Sequence, residues 1–325
     1  MAFSALRHPA TRVLLPRTRL AYVHLGNLLS DAKRDRSARV SGYVMVWLPD
    51  EILTLYLHSG EVVNATVRDA AGSRPIAIAR ALEQVPPQPE YGEICFHELD
   101  EEILACMFQT QTVASIGWPN GLAVTDPAVL FPFLMATTFD GTVEIMVGDA
   151  VNYLVFRDGA VARAVLATPR AGTAESVVER VKQLFVRDGR AEEIRVERWG
   201  PAEDLPPQAP PALVQSYREL AAELVRRIEV ERPDGRSIAE HTRQKLAVTH
   251  PVLDGFTFSA RPVREPVTDT DGLTAGVAAW VREFVWATVD HDALTPEALL
   301  RELTWDRRHM FQAAGLYDQL PWKVL

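Results

Sequence analysis

Three short runs hold the residue types from which catalytic or metal sites are built. The densest is His97-Glu98-Leu99-Asp100-Glu101-Glu102, whose carboxylates could surround a hard cation with oxygen ligands. The same acids suit the first turn of a helix, where the macrodipole favours negative charge, and that reading is preferred. Asp269-Thr270-Asp271-Gly272 begins like a calcium loop, yet the fifth position is Leu273 and the twelfth Trp280, so no carboxylate closes the shell. Asp290-His291-Asp292 places an imidazole between two carboxylates, which could tune a general base. Consecutive residues rarely converge on one proton, and no nucleophile motif stands nearby. The chain has no phosphate loop, no His-Glu-x-x-His and no Gly-x-Ser-x-Gly. Lys33-Arg34-Asp35-Arg36 with Arg39 reads as a solvated loop, because an acid is interleaved with the bases. The expectation is a chain without catalytic residues, metal or cofactor.

Composition narrows the remaining classes. A net charge of −9 and a pI near 5.5 argue against nucleic acid as a partner, since phosphate binding draws on Lys and Arg. Cys95 and Cys106 are too few for a disulfide framework and read as buried thiols. No stretch approaches the roughly 20 apolar residues of a membrane span, so a soluble, cytoplasmic protein is expected. Arg7, Arg12, Arg17 and Arg19 precede the first acid, Asp31, but Pro9 and Pro16 interrupt any amphipathic targeting helix. Residues 1–22 therefore read as a basic, partly flexible arm.

The elements that would position functional groups come from an internal repeat. Gly42-Tyr43-Val44-Met45-Val46-Trp47-Leu48 falls on Gly141-Thr142-Val143-Glu144-Ile145-Met146-Val147 at a shift of 99 residues. Identities continue through Asp50/Asp149, Leu55/Leu154, Gly60/Gly159, Val62/Val161 and Ala65/Ala164, and after a one-residue slip Glu93-Ile94 meets Glu193-Ile194. Alternating Val44, Val46, Leu48 and Val143, Ile145, Val147 mark the buried face of a first strand. Leu53 to Leu57 and Asn152 to Phe156 make a second, ending at Ser59-Gly60 and Asp158-Gly159, dipeptides suited to a type I′ hairpin. A third strand follows in each copy.

Leu25, Leu28, Leu29 and Ala32 show helical spacing before the first copy, as do Val129, Leu130, Phe133 and Leu134 before the second, although Pro132 sits badly inside. Ile76 to Leu82 and Ser176 to Phe185 follow as helices, and each unit closes on one more strand. Asp100 to Phe108 reads as a connecting helix. Prolines 201, 206, 207, 210 and 211 form an extended spacer, shorter than a domain and stiffer than a loop. Beyond it the period is helical: a stripe of Leu213, Tyr217, Leu220, Leu224 and Ile228, a capping box at Ser237 to Glu240, an apolar run from Leu273 to Val289, and a Thr295-Pro296 helix start. Gly315 ends the last helix.

The leucine-rich helix at Leu25-Gly26-Asn27-Leu28-Leu29, the Ser41-Gly42 before the first strand, the strand-turn-strand of Leu55 to Ala65, Gly72 with Ala77 to Leu82, and the closing Gly92-Glu93-Ile94-Cys95-Phe96 together resemble the bacterial PATAN-like domain of unknown function. The second copy resembles it more loosely: it keeps Asp158-Gly159-Ala160, but carries Asp140-Gly141 in place of Ser/Thr-Gly. The resemblance implies a bacterial signalling protein that works through protein-protein contacts, in motility or two-component-linked regulation. It carries no catalytic residues over, and this chain shows no receiver domain.

The fold expected is α+β: two tandem α-β-β-β-α-β units with antiparallel meanders, at 23–98 and 126–199, followed by a mostly helical domain at 212–325. Residues 99–125 form a connecting helix and loop, and 200–211 a proline-rich linker. The function expected is a non-catalytic adaptor that binds a protein partner. Exposed hairpins at Ser59, Gly60, Asp158 and Gly159 are the candidate contacts, with the Trp-rich helical region as a second docking element. The alternative is a small-ligand sensor, marked by a pocket between a sheet and its covering helix with Trp47 or Tyr56 in the lining. An uncharacterised hydrolase is less favoured.

Overall fold

A computed structural model describes residues 6–34, 39–86, 89–167, 177–185, 193–258, 266–289 and 295–324. The chain is α+β, with two antiparallel sheets and a helical C-terminal region. It divides into two compact units, one of residues 1–76 and 84–206, the other of 77–83 and 207–325.

In the first unit, β1 (Arg12–Arg19) and α1 (Leu25–Arg34) precede β2 (Gly42–Trp47), β3 (Ile52–His58), β4 (Glu61–Asp69) and β5 (Gly72–Pro75). The helix α2 (Ile78–Gln84), most of which belongs to the other unit, leads to β6 (Glu93–Glu98), and the strands order β1-β6-β2-β3-β4-β5. After α3 (Glu101–Thr112) and α4 (Pro127–Ala136) come β7 (Gly141–Val147), β8 (Ala150–Arg157), β9 (Ala160–Val165), α5 (Val177–Lys182) and β10 (Ile194–Trp199), ordered β10-β7-β8-β9. The α-β-β-β-α-β order thus appears twice. Ser176, where the sequence starts the helix that becomes α5, lies outside the described residues. The first copy also carries two strands that the repeat does not contain. The reading of residues 1–22 as a flexible arm is corrected for the described part: Arg12–Arg19 pairs its backbone with the edge of β6, and Arg12 with Glu98, Arg17 with Glu93 and Arg17 4.3 Å over the Trp47 ring add contacts along the same edge.

The repeat is also a repeat of register. Gly42 opposes Leu57 as Gly141 opposes Phe156, and both meanders carry their irregularity at the same place, before Leu57 and before Phe156. The closing strand departs from the alignment. Tyr43 opposes His97 while Thr142 opposes Trp199, so β6 and β10 correspond at a shift of 102, not at the 100 that Glu93 and Glu193 suggest. The even difference keeps each side chain on its face of the sheet.

The hairpin residues expected to be exposed contacts are corrected in part. Ser59 and Asp158 have φ of 51° and 50°, and Gly60 and Gly159 have 81° and 74°, as a type I′ turn demands. Both glycines are buried, however, under the end of the preceding helix: a Cβ on Gly60 would strike the Ala32 carbonyl, and one on Gly159 would lie 2.7 Å from Met135 Cα. The Ser41 Oγ accepts from the Ser59 amide at 3.2 Å, and the Asp140 carboxylate accepts from the Asp158 amide at 2.6 Å. The residue before the first-strand glycine thus clamps the hairpin in both copies. Serine and aspartate do the same work there.

One face of the second sheet packs on α4 and α5 through Leu130, Leu134, Val143, Ile145, Leu154, Phe156 and Val181. Asp126 caps α4 by accepting from the Ala128 amide, and the helix runs through Pro132, which forgoes one backbone bond. The inner faces of both sheets share a second core with α3: Tyr43, Met45, Tyr56 and Cys95 from one sheet, Val151, Tyr153 and Val155 from the other, and Ile103, Leu104 and Met107 between. Leu6 joins this layer, tied in where Arg7 donates to the Asp149 carbonyl and accepts from the Val151 amide. The proline-rich segment is likewise not a free spacer. Ala202 and Leu205 pack on the inner core, and the Pro206 carbonyl accepts from Asn64 at 2.6 Å.

The second unit contains α6 (Pro211–Glu231), α7 (Gly235–Ala247), α8 (Thr270–Thr288), α9 (Pro296–Thr304) and α10 (Arg308–Ala313). Its core gathers Tyr217, Leu224, Phe256, Trp280, Phe284 and Phe311, and the Trp280 indole donates to the Ala239 carbonyl at 3.1 Å. Thr295 caps α9, and Gly315 follows α10 with φ of 76°. The capping box at Ser237 is misplaced, because α7 already begins at Gly235 and Glu240 is held by Arg243 instead.

Gly60→Ala and Gly159→Ala combine backbone strain with a clash, whereas Gly72, with φ of 116°, has open space around its Cβ position. The first two should each lower stability by roughly 2–4 kcal/mol, and Gly72→Ala by only about 1–2 kcal/mol. Urea unfolding of the three variants checks this order; equal losses would show that the helix ends do not press on the hairpins.

Candidate functional site

The acidic run becomes the capped start of α3. Asp100 accepts from the Glu102 amide at 3.0 Å, and its carboxylate meets Arg163 at 2.6 Å. Glu102 pairs with Arg157 and Arg163, and Glu101 with His58 and the Ser41 hydroxyl. These acids are therefore engaged in joining α3 to the strands of both sheets. Asp269 caps α8 by accepting from the Gly272 amide at 2.6 Å, so the calcium-like run is also a helix start. Among the described residues no group of acids, histidines and cysteines is placed to hold a metal ion. Asp290, His291 and Asp292, and likewise Asp35 and Arg36, lie outside the described residues. Lys33 pairs with Glu61, and Arg39 is exposed.

Ionisable groups without a salt bridge among the described residues meet at the inner face of the second sheet. With the strand correspondence established above, Glu144 occupies the position of Met45, Glu197 that of Cys95, and Tyr153 that of Thr54. Glu144 and Glu197 oppose each other directly across β7 and β10. Like charges so placed destabilise a sheet, and the first copy has an apolar pair there.

Both glutamates line a cavity of about 150 Å³ between the sheets, together with Arg68, His8, Thr110 and Gln111. The Arg68 side chain, on β4, makes no hydrogen bond or salt bridge with any described residue. His8 is buried, with its Nδ1 3.3 Å from the Tyr153 hydroxyl. Burial pushes the imidazole down to about 3, helped by the Arg68 and His97 charges. Burial pushes the Glu144 carboxyl up to about 7, and Glu197 adds to this, while the Thr110 and Tyr153 hydroxyls and Arg68 pull the other way. The arrangement offers a free guanidinium, a carboxyl that changes charge near neutrality, and hydroxyl and amide groups between them.

Trp47 and Tyr56, the residues expected to mark a ligand pocket, do not line this cavity. Trp47 is buried beside Arg17, and Tyr56 is buried with its hydroxyl 3.3 Å from Thr66. Cys95 and Cys106 are buried free thiols, as expected, and burial raises Cys95 to about 12. Glu144 was visible in the repeat alignment as an acid set against Met45 on a strand otherwise apolar. His8 and Arg68 carry no such signal, since only the fold brings them to the same space. No protein-family model, curated protein or solved structure matches the chain.

The two shifted groups act on stability with opposite sign. A carboxyl raised from 4.5 to about 7 gives stability that is present below pH 4.5 and lost as pH rises through about 7. An imidazole lowered from 6.5 to about 3 gives stability that is present above pH 6.5 and lost on acidification. Glu144→Gln should therefore gain about 2 kcal/mol over the parent at about pH 8 relative to about pH 4.5, after allowance for the open side of the cavity. Urea unfolding at the two pH values measures it; a difference that does not change with pH would mean that Glu144 ionises as it does in water.

Proposed function

We propose that the protein is a non-catalytic bacterial signalling adaptor of the cytoplasm, acting through protein-protein contact. The observation that carries this reading is the pair of large aromatics left on the surface of the helical unit: Trp305 is 59% and Trp286 50% exposed. Arg308 lies 4.9 Å over the Trp305 ring and Arg282 5.9 Å from that of Trp286. Trp and Arg are the residues that dominate binding energy at protein interfaces, and exposed tryptophans gain most when a partner covers them. The PATAN-like resemblance of residues 23–98 supports the same class, as does the absence of any long apolar helix among the described residues that could cross a membrane. The hairpins contribute through the exposed Asp158, and not through their buried glycines. A second reading, a small-ligand sensor, is favoured by the cavity of charged and hydroxyl groups between the sheets.

The test uses the full chain, because residues 77–83 belong to the helical unit and a cut at the proline segment would remove them. Cross-linked capture from lysate with the parent, Trp305→Ala and Trp286→Ala should recover a protein that at least one variant loses by tenfold or more. Both variants should keep stability within about 0.5 kcal/mol, as exposed positions do. A partner retained equally by both variants, or none recovered by the parent, counts against the docking role of these tryptophans.

A further inference from the structure

The second copy of the repeat replaces an apolar cross-strand pair with two glutamates, and it does so where the sheets fail to close. Met45 and Cys95 sit opposite each other in the first sheet, and Glu144 and Glu197 take their places in the second. A pair of acids in that position costs stability unless a positive group comes between them. Arg68 lines the same cavity, yet it forms no salt bridge to either glutamate. Arg195, also in the wall, is turned to Glu193 at 3.8 Å. His8 is held neutral by burial and adds no charge. What remains without a salt bridge among the described residues is a guanidinium from one sheet and two carboxyls from the other, with only the Thr110 and Tyr153 hydroxyls and the more distant Arg68 charge favouring the Glu144 carboxylate. A ligand that satisfies both must be positive at one end and negative at the other.

Size narrows the class. One water needs about 10–15 Å³ of such space, and pockets for drug-sized ligands run from about 300 Å³ upward. The cavity, at about 150 Å³, lies between these limits. Arg195 and Glu197 are exposed, so it is open to solvent at their end. Thr54, Thr110 and Gln111 supply neutral donors and acceptors, and Met45, Ile52 and Val151 an apolar floor. We infer that this cavity binds a small zwitterion of amino-acid size, its carboxylate on Arg68 and its ammonium between Glu144 and Glu197. The inference rests on the ligand-sensor reading and names the ligand class for it. An arginine fork matches a carboxylate in two parallel hydrogen bonds, and a carboxylate pair holds an ammonium more strongly than either acid alone.

The test is calorimetric titration of the full chain with three sets of probes: free amino acids, the primary amines that lack their carboxylate, and the carboxylates that lack their amine. At least one amino acid should bind, and its deaminated and decarboxylated analogues should bind at least tenfold more weakly. Arg68→Met and Glu144→Met should each weaken binding by tenfold or more, the second restoring the residue that the first copy carries. Glu197→Gln, at an exposed position, provides the same test should Glu144→Met fail to fold. Carboxylates that bind as well as the amino acids would overturn the zwitterion and leave the sensor reading standing. Binding unchanged by all three substitutions would overturn the assignment to this cavity, and no binding by any probe would overturn the site and the sensor reading together.

Discussion

The constraint on which the first unit depends is that the central strands of both of its sheets are buried on both faces. Every residue of β2 is buried, and so is every residue of β3 and β8 up to the last. Such strands cannot face water on either side, so each sheet needs a cover outside and another inside. Two sheets with one shared cover is the economical solution, and α3 is that cover. It presents Ile103, Leu104, Cys106 and Met107 to the inner core, while its first turn is tied by Asp100 and Glu102 to Arg157 and Arg163 of the second sheet. What reads in the sequence as a connector is thus the middle layer of the unit. The N-terminal segment belongs to the same layer, because Leu6 and His8 are buried there and Arg7 is bound to Asp149.

A single helix of twelve residues covers only part of two sheets. Where it ends, at Thr110 and Gln111, the inner faces are left apart, and that is where the cavity lies. The duplication then explains why the two walls differ. The hairpin clamp and the strand register are present in both copies, since each meander has the same turn to hold. The inner face answers to a different demand, since the two copies meet each other there and need not be alike. One wall has kept Met45 and Cys95; the other carries Glu144 and Glu197.

The helical unit has its own core, built around Trp280, Phe284, Tyr217 and Phe311, and ion pairs such as Arg236 with Glu229 and Arg226 with Glu223 lie at its surface, while Arg243 is largely buried against Glu240. Surface pairs of this kind contribute little to stability. Trp280 and Trp322 are consumed by packing while Trp286 and Trp305 are not, so aromatic content alone does not distinguish core from contact surface. Burial does.

The sequence by itself determined the elements whose cause is local. The repeat, the meanders, the type I′ hairpins and the helix starts at Asp100, Asp126 and Thr295 all follow from periodicity, turn chemistry and side chains that bond the adjacent backbone. Where the cause is a distant partner, sequence reasoning did not reach it. Arg12–Arg19 is a strand because β6 offers its backbone an edge to pair with, and the proline segment is packed because Asn64 binds it. Gly60 and Gly159 are buried because a helix ends above them, which their turn geometry does not reveal. The candidate site belongs to this second kind. Glu144 could be noticed as an acid in an apolar strand, but its meeting with Arg68, His8 and Thr110 was decided by the stacking of two sheets, since residues so far apart in the chain share an environment only after the cores close around them.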